Sequence, residues 1–175
     1  MINNTQVSRY TRKILFSMMP VGMTPLIFIF IVYLNDPDSY LLYYIYEITK
    51  DIPSVTSAYS PLLTKVMDIY SKSALLFAVV TFFILYKRKP KVIIERSVLI
   101  KACIFSPVIY CLYLYFFLLQ DFELTTAGNP ARLMSGNNVS LLFFYVCLYY
   151  VSFLLTYMMC YLPSLVLALW KETKK

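Results

Sequence analysis

The chain has 175 residues, 60% of them hydrophobic and only 14% charged, with a formal net charge of +7 and no histidine. Three glycines and nine acidic residues leave no glycine-rich phosphate loop and little material for a catalytic centre, and an apolar content this high excludes a separate soluble domain. The basic excess is no nucleic-acid signal, because topology accounts for where the lysines and arginines fall.

Residues 14 to 34 form an uncharged run of 21 residues, against the ~20 that a helix needs to cross roughly 30 Å of hydrocarbon. The run is too long for the hydrophobic part of a cleaved signal and no A-x-A site follows it, so it is expected to stay as a first spanning helix. Pro20, Gly22 and Pro25 weaken its hydrogen-bond ladder and predict a kink near Pro25. Asn35-Asp36-Pro37-Asp38-Ser39 then signals a turn, followed by a helical segment from Tyr40 to Thr49. With four tyrosines, that segment suits the headgroup layer and reads as a short helix on the outer surface, a partner-contact face being the alternative.

From Ile52 to Pro61 the chain is polar and bounded by prolines, and a helical pattern then runs from Leu62 to Tyr86, with its span set at about 69–86. Lys65, Asp68 and Lys72 fall at i, i+3 and i+7, one stripe on the outer end of that helix. In one reading the lysines extend their ends to water and Asp68 pairs with Lys72. In the other the stripe faces a second protein, because charges in that layer are rare and usually serve a purpose.

The loop of 87–101 is short and basic, is broken from the second span by Pro90, and predicts that spans two and three are antiparallel neighbours. The third span, about 102–119, ends in an aromatic belt of Tyr110, Tyr113, Tyr115, Phe116 and Phe117. In the loop of 120–139, Ala127-Gly128-Asn129-Pro130 reads as a tight turn with Gly128 available for positive φ, while Phe122, Leu124, Leu133 and Met134 imply packing on the bundle or a partner. The last uncharged run, 139 to 170, would measure roughly 48 Å as one helix. A span of about 140–162, with an interfacial turn after Pro163, removes the excess.

Cys103, Cys111, Cys147 and Cys160 all lie in apolar runs and match no metal-ligand spacing, so they read as packing residues. Small pairs four apart, Ala74 with Ala78 and Ala102 with Ser106, permit close helix approach.

Charge orients the bundle. Twelve of the 16 basic residues, in the N-terminal segment, the loop of 87–101 and the tail, lie on one side, with only Glu95 and Glu172 among them. The other side holds Lys50, Lys65, Lys72 and Arg132 with seven acids, Asp36, Asp38, Glu47, Asp51, Asp68, Asp121 and Glu123. By the positive-inside rule the expected fold is an all-α integral membrane protein, a single bundle of four transmembrane helices with cytoplasmic N- and C-termini and loops 35–68 and 120–139 outside.

No carboxylate lies near the centre of a span, and Asp121 with Glu123 is the nearest approach to a carboxylate pair, at a wet helix end. An enzyme is not expected, nor a cofactor, a metal or nucleic acid as partner. Binding is the leading mode of action, with a small membrane transporter or channel subunit as the rival.

The outer loops carry a resemblance. Pro53 through Tyr70, with Ser54-Val55-Thr56-Ser57-Ala58-Tyr59-Ser60-Pro61 leading to Lys65 and Asp68, resembles the first periplasmic segment of immunity proteins against pore-forming colicins of the colicin A and colicin B branch. Phe122 through Pro130, with Arg132-Leu133-Met134, is similar to the second periplasmic loop of the same family. Weaker similarity runs through Ser106-Pro107 and Leu141 to Tyr149, while the first dozen residues and the middle loop depart from the colicin A member, a lean toward colicin B.

The resemblance implies a multi-pass protein of the bacterial inner membrane that binds the pore-forming domain of its cognate colicin, at its hydrophobic helical hairpin, among membrane lipid. It gives Lys65, Asp68, Lys72, Glu123, Thr125, Thr126 and Arg132 the role of candidate toxin-binding residues.

Overall fold

The structure is a computed structural model, and it describes residues 4–86 and 96–173; most of the middle basic loop, including Lys87 to Lys91, Pro90 and Glu95, lies outside the described residues. Helix α1 covers Asn4–Asn35 and continues through Pro20 and Pro25. Hydroxyls supply donors beside those prolines: Thr24 Oγ1 donates to the Pro20 carbonyl at 3.1 Å and Tyr70 Oη to the Gly22 carbonyl at 2.9 Å. A turn follows in which Asp36 Oδ1 accepts the Asp38 N–H at 3.2 Å, and α2 then spans Tyr40–Ile48.

The second long helix begins within one residue of the Leu62 at which the sequence pattern starts. α3 covers Pro61–Lys72 and α4 covers Ala74–Leu85, with Pro61 in the first turn, where a missing N–H leaves no bond unmade. They meet at Ser73, whose N–H and hydroxyl both donate to the Tyr70 carbonyl, at 2.9 and 2.6 Å. Lys65, Asp68 and Lys72 therefore belong to the long helix itself. The span expected from about residue 69 lies within an apolar helical stretch, Pro61–Leu85, that includes those charges, and burial within the protein accommodates Lys65 and Asp68.

α5 runs Arg96–Leu118, α6 Asn129–Ser135 and α7 Asn138–Thr173. α7 continues through Pro163, so the expected turn there does not form: Ser164 Oγ donates to the Tyr161 carbonyl at 2.6 Å, and the residues beyond remain apolar and helical. Gly128 has φ of −56° and precedes α6, so the tight turn proceeds without positive φ.

Four helical stretches are long and apolar enough to cross a membrane: Thr11–Asn35, Pro61–Leu85, Ser97–Leu118 and Asn138–Leu167. At 25 residues the second measures roughly 37 Å, more than the ~30 Å of hydrocarbon.

α7 is the hub. Leu141, Tyr145, Leu148, Tyr149, Ser152, Phe153, Thr156 and Tyr157 are buried at three- and four-residue steps, one face of a 3.6-period helix. α4 lays Ala74 and Ala78, both fully buried, against it, and the absence of longer side chains there permits close approach. α1 contributes Leu26, Ile29 and Phe30 to the same core.

α5 also packs chiefly on α7 rather than on α4, so the short middle loop does not make spans two and three principal neighbours. One irregularity breaks the all-helical expectation: β1 (Val55–Thr56) pairs in parallel with β2 (Phe122–Glu123), joining the two outer loops.

Candidate functional site

The outer end of the bundle is built around Asp68. Its carboxylate is 0% exposed and pairs with Lys72 Nζ at 2.8 Å, the Lys72 side chain being 14% exposed. Beyond that ion pair, neither carboxylate oxygen has a hydrogen-bond donor among the described residues. Lys72 Nζ further donates to the Pro53 carbonyl, and Lys65 Nζ donates to the carbonyls of Ile52 and, at 3.3 Å, of Lys50. The stripe read from the sequence as solvent- or partner-facing thus turns inward. Its two ammonium groups serve carbonyls of residues 50 to 53, an irregular stretch whose backbone lacks helical partners.

These bonds strap the first outer loop onto α3, and further bonds fasten the strap on its other sides. Asp121 Oδ1 accepts the Ser54 N–H at 2.8 Å, and Tyr145 Oη of α7 donates to the Val55 carbonyl at 2.7 Å. Ser57 donates its N–H to Thr64 Oγ1 at 3.1 Å and its hydroxyl to the Ser135 carbonyl at 3.1 Å. Ser60 Oγ, at the start of α3, donates to Asn138 Oδ1 at 3.0 Å and ties that start to the head of α7.

The other candidates lie on the outside of the same cap. Glu123 is exposed and opposes Thr56 in the β1–β2 register. Thr125 Oγ1 donates to the Glu123 carboxylate and Thr126 Oγ1 to the Glu123 carbonyl at 3.0 Å. Thr125 is half-buried, Thr126 and Arg132 are exposed, and Arg132 hydrogen-bonds Asn129 Oδ1 at 3.2 Å across one turn of α6. Of the apolar residues expected to fold back, Leu124 is buried and Met134 half-buried, while Phe122 and Leu133 are exposed.

The seven candidates therefore divide. Lys65, Asp68 and Lys72 form the inner fastening of a cap whose outer surface carries Glu123, Thr126 and Arg132. Sequence reasoning missed the partners that complete the fastening, Ser54, Ser57, Asp121 and Tyr145. The signal available for Tyr145 was its place on the α7 stripe with Tyr149, Ser152 and Thr156, where hydroxyls recur on a face that has to be buried.

Among the described residues no group of three or more His, Cys, Asp or Glu is disposed to hold a metal ion. The arrangement can present a shaped, charged surface at the end of a helical bundle, which is the chemistry of recognition.

Comparison with known proteins places the chain in a family. The colicin immunity protein family matches residues 38–174. The chain is 39% identical over 176 residues to the colicin-A immunity protein of Citrobacter freundii, covering 98% of this chain and 99% of that protein. It is 32% identical over 172 residues to the colicin-B immunity protein of Escherichia coli, covering 98% of each. No solved structure matches the chain. The greater identity to the colicin A relative removes the lean toward colicin B drawn from the divergent segments. Matched over nearly its whole length to both relatives, the chain belongs to the colicin immunity protein family, in the branch of the colicin A and colicin B immunity proteins.

Proposed function

We propose that the chain protects a bacterium from a pore-forming colicin of the colicin A and B branch by binding the toxin's pore-forming domain in the inner membrane and preventing channel opening. The observation that carries this reading is similarity to two colicin immunity proteins from end to end of the chain. The charge distribution supports a bundle with cytoplasmic termini and a periplasmic cap, the side from which a toxin arrives. Within that cap Glu123, Thr125, Thr126 and Arg132 are candidates to meet the toxin, while Lys65, Asp68 and Lys72 act as positioning residues that fix the strap beneath them.

A voltage-driven pore gains about 2.3 kcal/mol for each charge moved per 100 mV. Holding ~99% of inserted toxin shut against an otherwise equal open population takes about 2.7 kcal/mol of differential binding. A few packed helix contacts and one interfacial polar pair supply that amount. Expression in a colicin-sensitive strain tests the reading. Survival is expected against colicin A or colicin B, with unchanged killing by a toxin that uses the same receptor and a different killing domain. Equal killing by every toxin, at verified membrane abundance, would remove it.

A further inference from the structure

The short helix α2 has two faces of opposite character. Leu42, Ile45, Tyr46 and the C-cap Thr49 fall at i, i+3, i+4 and i+7 and turn toward the protein, Leu42 and Thr49 buried and the other two half-buried. This face lies against α3. Thr49 Oγ1 donates to the Ile45 carbonyl at 2.7 Å and Lys65 Nζ holds the Lys50 carbonyl just beyond, so α2 is fixed at its C-terminal end.

Tyr40, Tyr43, Tyr44 and Glu47 repeat the same spacing on the opposite face, and all four are exposed. Each of the three tyrosines is more than half exposed, and Tyr40 stacks on Tyr44 with 6.3 Å between ring centroids. The Glu47 carboxylate stands among these rings and forms no ion pair among the described residues. Charge around the face has one sign. Asp36 and Asp38 before α2 and Asp51 after it are exposed, and Lys50 is the one base between residues 35 and 60. The next two bases, Lys65 and Lys72, are turned inward to carbonyls of residues 50 to 53 and do not neutralise this surface.

Tyrosine by itself suits the headgroup layer, but a helix lying among anionic headgroups carries lysine or arginine on its polar face, and α2 has neither. Phenol faces beside an unpaired carboxylate suit the lysine and arginine side chains of a protein, which take a cation–π contact from the ring and a charge-assisted hydrogen bond from the carboxylate. Tyrosine is also enriched where proteins meet. At roughly 13 Å, nine helical residues give a contact too small for a tight complex on its own. Such a surface acts on the encounter, where opposite charge raises the association rate.

We propose that the outer face of α2, formed by Tyr40, Tyr43, Tyr44 and Glu47, is the first docking surface for a lysine- and arginine-bearing segment of the toxin's pore-forming domain. The inference rests on the toxin-binding reading above and adds to it a place and a chemistry for the first contact.

The test uses the full chain in micelles of an uncharged detergent, so that lipid charge plays no part, with the purified pore-forming domains of colicin A and colicin B as probes. Association with the domain that binds is followed at about 50 mM and about 200 mM salt and is expected to be about tenfold slower at the higher concentration. Tyr43→Ala, Tyr44→Ala and Glu47→Gln together should slow association about tenfold at the lower salt, flatten the salt dependence and leave dissociation nearly unchanged. Tyr43→Ala with Tyr44→Ala keeps every charge and should still slow association, which diffuse attraction by the acidic loops would not do. Glu47→Lys changes one exposed side chain, should slow association at least as much as Glu47→Gln, and serves if the triple variant does not fold.

A native association rate in the folded triple variant, at both salt concentrations, would overturn the proposal and return α2 to the headgroup layer. The same rate with a smaller particle by light scattering would overturn it by assigning the face to a second copy of the chain. Binding of neither domain by the native chain would remove the toxin-binding reading together with the proposal, a result distinct from native binding that ignores the α2 substitutions.

Discussion

An aspartate with no solvent exposure has to be matched by a cation and by hydrogen-bond donors, because the cost of an unpaired buried charge is several kcal/mol. Lys72 supplies the cation to Asp68 at 2.8 Å, and no further hydrogen-bond donor reaches the carboxylate among the described residues, so the ion pair carries the match. Asp68→Ala leaves two lysines facing an emptied site and should destabilise the protein by about 3–5 kcal/mol, read as reduced membrane abundance and a lower unfolding temperature in detergent. Replacing the pair together, Asp68→Leu with Lys72→Met, should recover much of that loss. An Asp68→Ala variant of native abundance and unfolding temperature would show that the pair lacks this fastening role.

Gly22 is the second position where one atom decides. A Cβ there would run into the phenol of Tyr149, which stacks on Tyr70 at 5.8 Å between ring centroids. Gly22→Ala should destabilise by about 1–3 kcal/mol, and Tyr149→Phe in the same chain should restore part of it by removing the nearest atom. Thermal unfolding of the two variants measures both effects. The sequence gives Gly22 only as a helix weakener beside two prolines; the tyrosine 127 positions away that needs its missing side chain is not visible without the fold.

At the scale of elements, two joints are open to direct measurement. The strap and the second outer loop meet in the β1–β2 pair, where Thr56 opposes Glu123. Neighbouring strands lie about 4.8 Å apart, within the range that a disulfide spans, so Thr56→Cys with Glu123→Cys should crosslink on mild oxidation and shift on a non-reducing gel. Cysteines at Tyr59 and Glu123 should crosslink far less, and equal yields would contradict the register.

The α5–α7 joint depends on hydroxyl pairs, Tyr113 Oη with Ser152 Oγ and Tyr110 Oη with Thr156 Oγ1 at 3.0 Å. A double-mutant cycle with Tyr113→Phe and Ser152→Ala should give a coupling of about 0.6 kcal/mol, the usual size for such bonds between membrane helices. A coupling indistinguishable from zero would detach α5 from that ladder.

Helix existence was legible because 20-residue apolar runs and turn residues are local signals. Two features were not. Charged residues on α3 read as the outer boundary of a span, because local hydropathy cannot tell a lysine facing water from one bonded to distant carbonyls. The continuation of α7 through Pro163 was hidden for a related reason: proline removes one ladder bond, but the apolar residues that follow still favour the helix.

For the whole molecule, the fold reads as a platform. α7 gathers the other long helices, and a cap stitched from both outer loops closes one end above Asp68. The charge pattern gave the arrangement of runs and loops, and the resemblance in the two outer loops gave the family. The division of candidate residues into buried fastening and exposed surface came only from tertiary structure, since Lys65, Asp68, Glu123 and Arg132 look alike as loop-proximal charges. If exposed cap residues select the toxin, exchanging residues 122–134 with those of the colicin A relative should change relative protection against colicins A and B while membrane abundance stays constant. Unchanged relative protection would move recognition to the helices.

The central claim is that the chain acts on the pore rather than on toxin receptor binding or uptake. Potassium efflux from sensitive cells expressing the chain tests it most directly, with association of the cognate colicin with the inner membrane followed in the same cells. The account predicts that the toxin reaches the membrane as in control cells while potassium is retained. Toxin at the membrane with efflux as rapid as in unprotected cells, at normal abundance of the chain, would contradict it.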